Sequence, residues 1–123
     1  MQTHDTTLKG YGLGILTDVD MGPAIVEYLE RIDATLEPYD GRFIVHGGRS
    51  EVLEGADPGA VILIEFPTVE HARRWYASDA YRAILPLRTN HIDGAALIVD
   101  GVAPNYDPSA TAARYREQLQ AQP

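Results

Sequence analysis

The sequence has no cysteine among its 123 residues. This absence excludes disulfide bonds, thiolate metal sites and a thiol nucleophile, and it favours a cytoplasmic protein. Basic residues are also scarce, since ten lysines and arginines stand against eighteen acidic residues and leave a net charge of -8. A protein of this charge repels phosphate backbones and anionic lipid headgroups, so we expect neither nucleic acid nor a membrane as a partner.

Long apolar runs and a basic leader are absent as well. The longest unbroken apolar run, Ala60 to Ile64, is far too short to cross a bilayer. Residues 1–8 lack the positively charged start and apolar centre of a secretory signal, and we interpret them as a flexible N-terminus. The four histidines show no metal-ligand spacing, so we expect no metal site and no cofactor.

Hydrophobic periodicity predicts an alternation of strands and helices. Residues 10–17 alternate between two faces, as a strand does, and Pro23 then suits the first turn of a helix. Apolar residues recurring at helical spacing define the core stripe of that helix: Ile25, Leu29, Ile32 and Leu36. Further strands are predicted over 42–47 with a continuation at 51–53, over 61–66 and over 95–99, and further helices from Thr68 and from Ser78, the last bent or ended by Pro86. The order predicts an α+β, ferredoxin-like βαββαβ fold, in which a four-stranded antiparallel sheet carries its helices on one face.

The sheet face without helices is predicted to be apolar, because the strands at 61–66 and 95–99 have apolar residues on both sides. Such a face needs a cover, and a second identical subunit is the simplest one, so we expect a homodimer. Residues 103–123 differ in composition and form a C-terminal extension. We expect this extension to be helical from Ala110, with Ser109 as a candidate cap, and to reach across to the partner.

Three separate segments carry a family resemblance: Tyr39–Gly55, with the sequence YDGRFIVHGGRSEVLEG, then Glu65–Pro67 and Trp75–Tyr81. In order and spacing they resemble the domain-of-unknown-function family 1330. The resemblance covers about residues 9–102 and implies a ferredoxin-like domain that pairs into a dimeric α/β barrel. The wider superfamily includes lactone isomerases, polyketide cyclases and cofactor-free monooxygenases, so the resemblance also implies proton-transfer chemistry in a closed apolar pocket.

Two titratable residues are candidates for catalysis. Glu65 shares a strand face with Val61 and Leu63, and burial there would raise its pKa towards the range of a general acid or base, the alternative being a structural ion pair. His46 stands where the family more often has arginine, so a permanent cation is exchanged for a group that transfers protons. The alternative for His46 is a purely structural strand histidine.

Two glycines and three aromatic residues are candidates for binding a substrate. Gly12 and Gly14 interrupt the first strand, where missing side chains would leave a hollow for a small molecule, the alternative being a twisted strand that lets a helix pack closely. Trp75, Tyr76 and Tyr81 match the family pattern Trp-Tyr-x-Ser-x-x-Tyr. Core packing fits all three, while Tyr81 or Tyr11 also suits the role of offering a hydroxyl to a pocket.

Three arginines complete the candidate substrate-binding residues. Arg42, Arg49 and Arg88 stand where the family has arginine or other polar residues. Each has the planar fork that binds an anionic ligand through two hydrogen bonds. The alternative for each is a surface ion pair with a neighbouring carboxylate.

These residues support the hypothesis of a small-molecule-binding homodimer with a cavity between sheet and helices. The expected activity is a cofactor-independent isomerase, cyclase or lyase reaction on a small polar or aromatic metabolite. In it His46 would move the proton, Glu65 would orient or assist His46, and Arg49 would hold substrate charge. The alternatives are a non-catalytic ligand-binding protein and a structural dimer with a filled core.

Overall fold

The computed structural model describes residues 8–122, so most of the N-terminus predicted to be flexible lies outside the described residues. In chain order the elements are β1 (Gly10–Thr17), α1 (Pro23–Leu36), β2 (Arg42–His46), β3 (Ala60–Phe66), α2 (Val69–Ala77), α3 (Asp79–Thr89), β4 (Asp93–Asp100) and α4 (Pro108–Ala121). All neighbouring strands pair antiparallel, in the order β2-β3-β1-β4. The predicted ferredoxin-like α+β fold is confirmed.

Local hydrogen bonds explain where α2 and α3 begin. The Thr68 hydroxyl accepts a hydrogen bond from the backbone N–H of His71 at 3.1 Å and caps α2. Ser78 is extended, ends α2, and caps α3 by accepting from the N–H of Tyr81 at 3.2 Å. The chain therefore turns sharply between two short helices. Pro86 does not end α3, which continues to Thr89.

The alternation of strand residues creates two unlike sheet faces. On the helix-covered face Gly12 lies opposite Ile64 and Gly14 lies opposite Ile62. We call the opposite side the open face; it consists of Tyr11, Leu13, Ile15, Arg42, Val45, Val61, Leu63, Glu65, Ala95, Leu97 and Val99. Apart from Arg42, Glu65 and the Tyr11 hydroxyl, the open face is apolar, as the sequence predicts.

The core lies between the helix-covered face and α1, α2 and α3. Its largest fully buried side chains are Phe66, Tyr81, Leu36 and Ile84. On α1 the sequence prediction needs a correction, because Tyr28 is buried in the stripe whereas Leu29 is 41% exposed. Positions three and four residues after Ile25 both lie near the same helix face, and the contact between Tyr28 and the distant Tyr81 decides between them.

The segment between β2 and β3 differs from its prediction in two ways. Residues 51–53 are not a strand but part of a loop over 47–59. In addition, β2 has an irregularity between Phe43 and Val45 that the sequence does not predict, so an extra residue there shifts the register. Phe43 and Val45 therefore point to opposite faces of the sheet, whereas a regular strand would place both on one face.

The C-terminal helix α4 stands apart from this core. Every residue of α4 except Thr111 is exposed. Its N-cap is Asp107, whose carboxylate accepts from the N–H of Ser109 at 2.9 Å, and not Ser109 as predicted. None of the helices within residues 8–122 is long and apolar enough to span a lipid bilayer.

Candidate functional site

A cavity of about 280 Å³ lies between the helix-covered face of the sheet and helices α2 and α3. Its volume is close to the lower end of the roughly 300 to 1,000 Å³ typical of small-molecule sites. The lining residues come from three strands and two helices: Gly12, Leu13, Gly14, Leu16, Ile62, Ile64, Trp75, Tyr76, Tyr81, Arg88, Ala96, Leu97 and Ile98. No carboxylate or histidine is among them, so the wall is almost entirely apolar.

Two of the three glycines of β1, Gly12 and Gly14, form the floor of this cavity. Both face the helices, and a Cβ atom built at Gly12 or Gly14 would come no closer than 3.7 Å to a neighbouring side chain. By contrast, a Cβ at Gly10 would lie 2.5 Å from the Thr68 carbonyl oxygen, so only that glycine serves close packing of a helix. At positions 12 and 14 the missing side chains leave space instead.

The roof of the cavity is aromatic and is held by the core. The Trp75 and Tyr81 ring centroids are 4.1 Å apart. The Trp75 Nε1–H donates to the Thr35 hydroxyl at 3.0 Å, and that hydroxyl donates to the Ile32 carbonyl at 2.6 Å. Because every polar atom of this chain of contacts is paired, the indole orientation over the cavity is strongly constrained.

A pair of tyrosine hydroxyls lies at the inner end of the roof. The hydroxyls of Tyr28 and Tyr81 are 2.7 Å apart and buried. Burial, together with the neighbouring Tyr81, raises the pKa of Tyr28 far above its ordinary value. The Tyr28 phenol is therefore neutral near pH 7, and it acts as a hydrogen-bond donor rather than a base.

The guanidinium of Arg88 lies beside these two tyrosines. Its guanidinium carbon lies 5.9 Å from the centroid of the Tyr28 ring, within the range of a cation–π contact. Burial lowers the pKa of Arg88, but the nearby oxygens of Tyr81 and Tyr28 raise it more, so the net pKa lies above its usual value. The side chain is half-buried and permanently charged.

The structure brings together half of the residues that the sequence singles out. Five line the cavity: Gly12, Gly14, Trp75, Tyr81 and Arg88. The other five do not: Tyr11, Arg42 and Glu65 belong to the open face, His46 lies on the edge strand β2, and Arg49 lies in the loop over 47–59. Tyr28 and Tyr76 were not predicted as site residues. The single sequence signal for Tyr28 is its place in the helical stripe of α1.

The expected rise in the pKa of Glu65 is wrong. Its side chain keeps only 15% exposure, but Arg42 donates to its carboxylate from Nε at 3.1 Å and from Nη2 at 2.9 Å, and Lys9 lies 3.4 Å away. Hydrogen bonding from Arg42 holds the pKa of Glu65 below its ordinary value. In these surroundings Glu65 is an ion-paired carboxylate, which is the alternative that the sequence left open.

This ion pair makes the stability of the protein depend on pH. Because the pKa of Glu65 is lowered from 4.5 on folding, its contribution is present above that pH and is lost as the pH falls through the folded-state pKa. We expect Glu65→Gln to lower the free energy of unfolding at pH 7 by about 1 kcal/mol or less, since both cations are exposed in the single chain. At strongly acidic pH the difference from the wild type should vanish. Urea unfolding at several pH values measures this, with the exposed Glu30→Gln as control; a difference that persists at low pH contradicts the assignment.

His46 and Glu65 lie on opposite faces of the sheet. His46 lies opposite Ile62 on the helix-covered side and stacks on Phe43, with ring centroids 4.5 Å apart, whereas Glu65 belongs to the open face. The expectation that Glu65 orients or assists His46 is thus corrected for a single subunit, because the sheet separates them. His46 is exposed and does not line the cavity. Within residues 8–122 no group of three potential metal ligands occurs.

Comparisons with known proteins agree with this architecture. The family model described as "Domain of unknown function (DUF1330)" matches residues 9–102. A protein of unknown function from Rhodopseudomonas palustris is 17% identical, with a TM-score of 0.61 over 79% of this chain and 85% of that one. A hypothetical protein from Arabidopsis thaliana is 12% identical, with a TM-score of 0.55 over 87% and 96%. SnoaB, a cofactor-independent oxygenase from Streptomyces nogalater, is 10% identical, with a TM-score of 0.47 over 81% and 97%. No curated protein matches the chain.

Proposed function

This chain belongs to the DUF1330 family, and from that premise we propose that it is a small-molecule-binding protein whose ligand lies in the cavity under α2 and α3. The observation that carries the proposal is the floor of the cavity. Glycine weakens a strand, yet β1 has glycine at two neighbouring positions of the helix-covered face where a side chain would fit. Space kept open at the expense of strand stability is typical of a binding site.

The binding unit is a homodimer built through the open face. Nine of the eleven open-face residues are apolar or aromatic, and several of them, including Val45, Leu97 and Val99, are substantially exposed in the single chain. An apolar sheet face of this extent is unusual on a monomer. A second copy covers it with the same surface, as expected for a two-fold interface. Both cavities lie on the outer side of this interface, one in each subunit.

Cofactor-independent catalysis is a second candidate function, favoured by the Tyr28–Tyr81 hydroxyl pair beside Arg88. Fixed donors in an apolar, water-poor site stabilise negative charge that develops on a substrate oxygen. An isomerase, cyclase or lyase reaction passes through such charge when a proton leaves carbon. In this candidate Tyr81 and Arg88 stabilise the oxygen, and because the lining holds no carboxylate or histidine, a water molecule accepts the proton.

The test fills the floor of the cavity. We expect Gly12→Val/Gly14→Val to remain folded, since valine suits a strand and the first added atoms meet only ordinary contacts. The added side chains occupy the space over β1, so binding of small aromatic compounds should fall at least about ten-fold. Ligand-observed NMR with a small aromatic compound set, and native mass spectrometry for a retained molecule, measure this.

The matched control is Gly48→Val, because Gly48 lies in a loop with no neighbouring atom within 4 Å. It should bind as the wild type does. Equal binding by the wild type and the filled variant would refute the proposed site. Turnover of a bound compound by the wild type, absent in the filled variant, distinguishes catalysis from binding alone.

A further inference from the structure

Arg88 is a half-buried cation whose charge has no partner within the described residues. Among residues 8–122, five salt bridges join a lysine or arginine to a carboxylate, and none of them includes Arg88. A cation removed from water is costly unless an opposite charge or strong acceptors surround it. Since Arg88 also lines the cavity, a ligand in the cavity can supply the missing negative charge.

The neighbouring hydroxyl pair has a spare donor. Tyr28 and Tyr81 hold two O–H groups, and the bond between them uses one. Both hydroxyl oxygens also lie close to the Arg88 guanidinium, and within residues 8–122 the second O–H donates to no other group. A guanidinium has five N–H donors and no acceptor. This end of the cavity, formed by Arg88, Tyr81 and Tyr28, therefore has more hydrogen-bond donors than acceptors, and we call it the donor end.

We infer that the ligand is a small organic monocarboxylate, with its carboxylate bound by Arg88 beside Tyr81 and its apolar body over Gly12 and Gly14. An Arg–carboxylate pair satisfies both sides through two parallel hydrogen bonds. Arg88 is the one lysine or arginine in the lining, which disfavours phosphate esters and dicarboxylates. The small volume and apolar walls favour a compact aromatic or branched aliphatic body. This inference rests on the proposed binding function of the cavity.

The experiment compares three probes of nearly the same shape and different charge: benzoate, benzamide and benzylamine. Binding is measured by ligand-observed NMR to the wild-type protein and to Arg88→Leu. The matched control is Arg82→Leu, because Arg82 lies on the same helix, is exposed and is not in the cavity lining. The filled variant Gly12→Val/Gly14→Val reports whether a probe occupies the cavity.

We expect the wild type to prefer benzoate to both other probes. Arg88→Leu should weaken benzoate binding at least about ten-fold and leave benzamide nearly unchanged, while Arg82→Leu binds as the wild type does. Tyr81→Phe should also weaken benzoate binding, by a smaller factor. These results support the monocarboxylate.

Other outcomes separate this inference from the proposed function. If benzamide binds as well as benzoate and the filled variant loses both, the cavity binds small molecules but the carboxylate inference is overturned. Benzoate binding that survives Arg88→Leu overturns it too. If no probe binds, or the filled variant binds like the wild type, both the inference and the proposed function fail.

Discussion

The Leu63→Asp variant should be a folded monomer at concentrations where the wild-type protein is a dimer. Leu63 lies on β3 in the middle of the open face, paired with Leu13 on one side and Val45 on the other. In a two-fold interface the substitution buries two carboxylates, one from each subunit. An uncompensated buried charge costs about 3–5 kcal/mol, so we expect association to weaken roughly ten-thousand-fold or more.

Sedimentation velocity or multi-angle light scattering measures this change. The matched control is Leu29→Asp, since Leu29 is 41% exposed on α1, on the opposite side of the sheet. It should leave the association state unchanged, and circular dichroism should show that both variants are folded. A wild-type monomer at micromolar concentration, or a Leu63→Asp dimer, contradicts the proposed assembly.

Phe66→Ala should cause the largest loss of stability in the single chain. Phe66 has 0% exposure at the end of β3, where its ring packs 5.5 Å from the Trp75 ring and against Gly41 and Leu36. Truncation of a buried phenylalanine removes its transfer free energy and leaves a void, together about 3–5 kcal/mol. This is a large share of the roughly 5–15 kcal/mol that stabilises an ordinary domain.

Phe43→Ala is the natural control, because the protein has two phenylalanines and Phe43 is only half-buried on the edge strand β2. We expect it to cost about 1 kcal/mol. Urea unfolding of the wild type and both variants gives the free energies directly. Equal losses at positions 43 and 66 would show that Phe66 is not at the centre of the core.

The fold was predictable because its signals are local. The alternation over residues 10–17, the proline that starts α1 and the hydroxyl caps at Thr68 and Ser78 each act within a few residues. The order of the elements then leaves few topologies. The prediction of a strand at 51–53 was wrong because local signals do not show whether a strand has a partner. The apolar residues of this segment suit a strand, but within residues 8–122 no strand pairs with it.

Only the part of the candidate site that lies on a single strand was predictable from the sequence. Gly12 and Gly14 are two residues apart, so their common face follows from the strand period. The face of His46 depended on one extra residue in β2, which reverses the direction of the side chains after it. The surroundings of Glu65 depended on Arg42 and Lys9, 23 and 56 residues away in sequence, and no local pattern reveals such partners.

Trp75 is the one tryptophan of the chain, and it forms part of the cavity roof while its Nε1–H is bonded inside the core. Its emission spectrum and quantum yield therefore depend on what fills the space next to the indole and on whether the core is intact. Trp75 is only 5% exposed, so a compound in the cavity changes the surroundings of one edge of the ring, whereas unfolding exposes the ring fully. The protein thus carries a built-in optical reporter, so occupancy and denaturation can both be followed by fluorescence without a label.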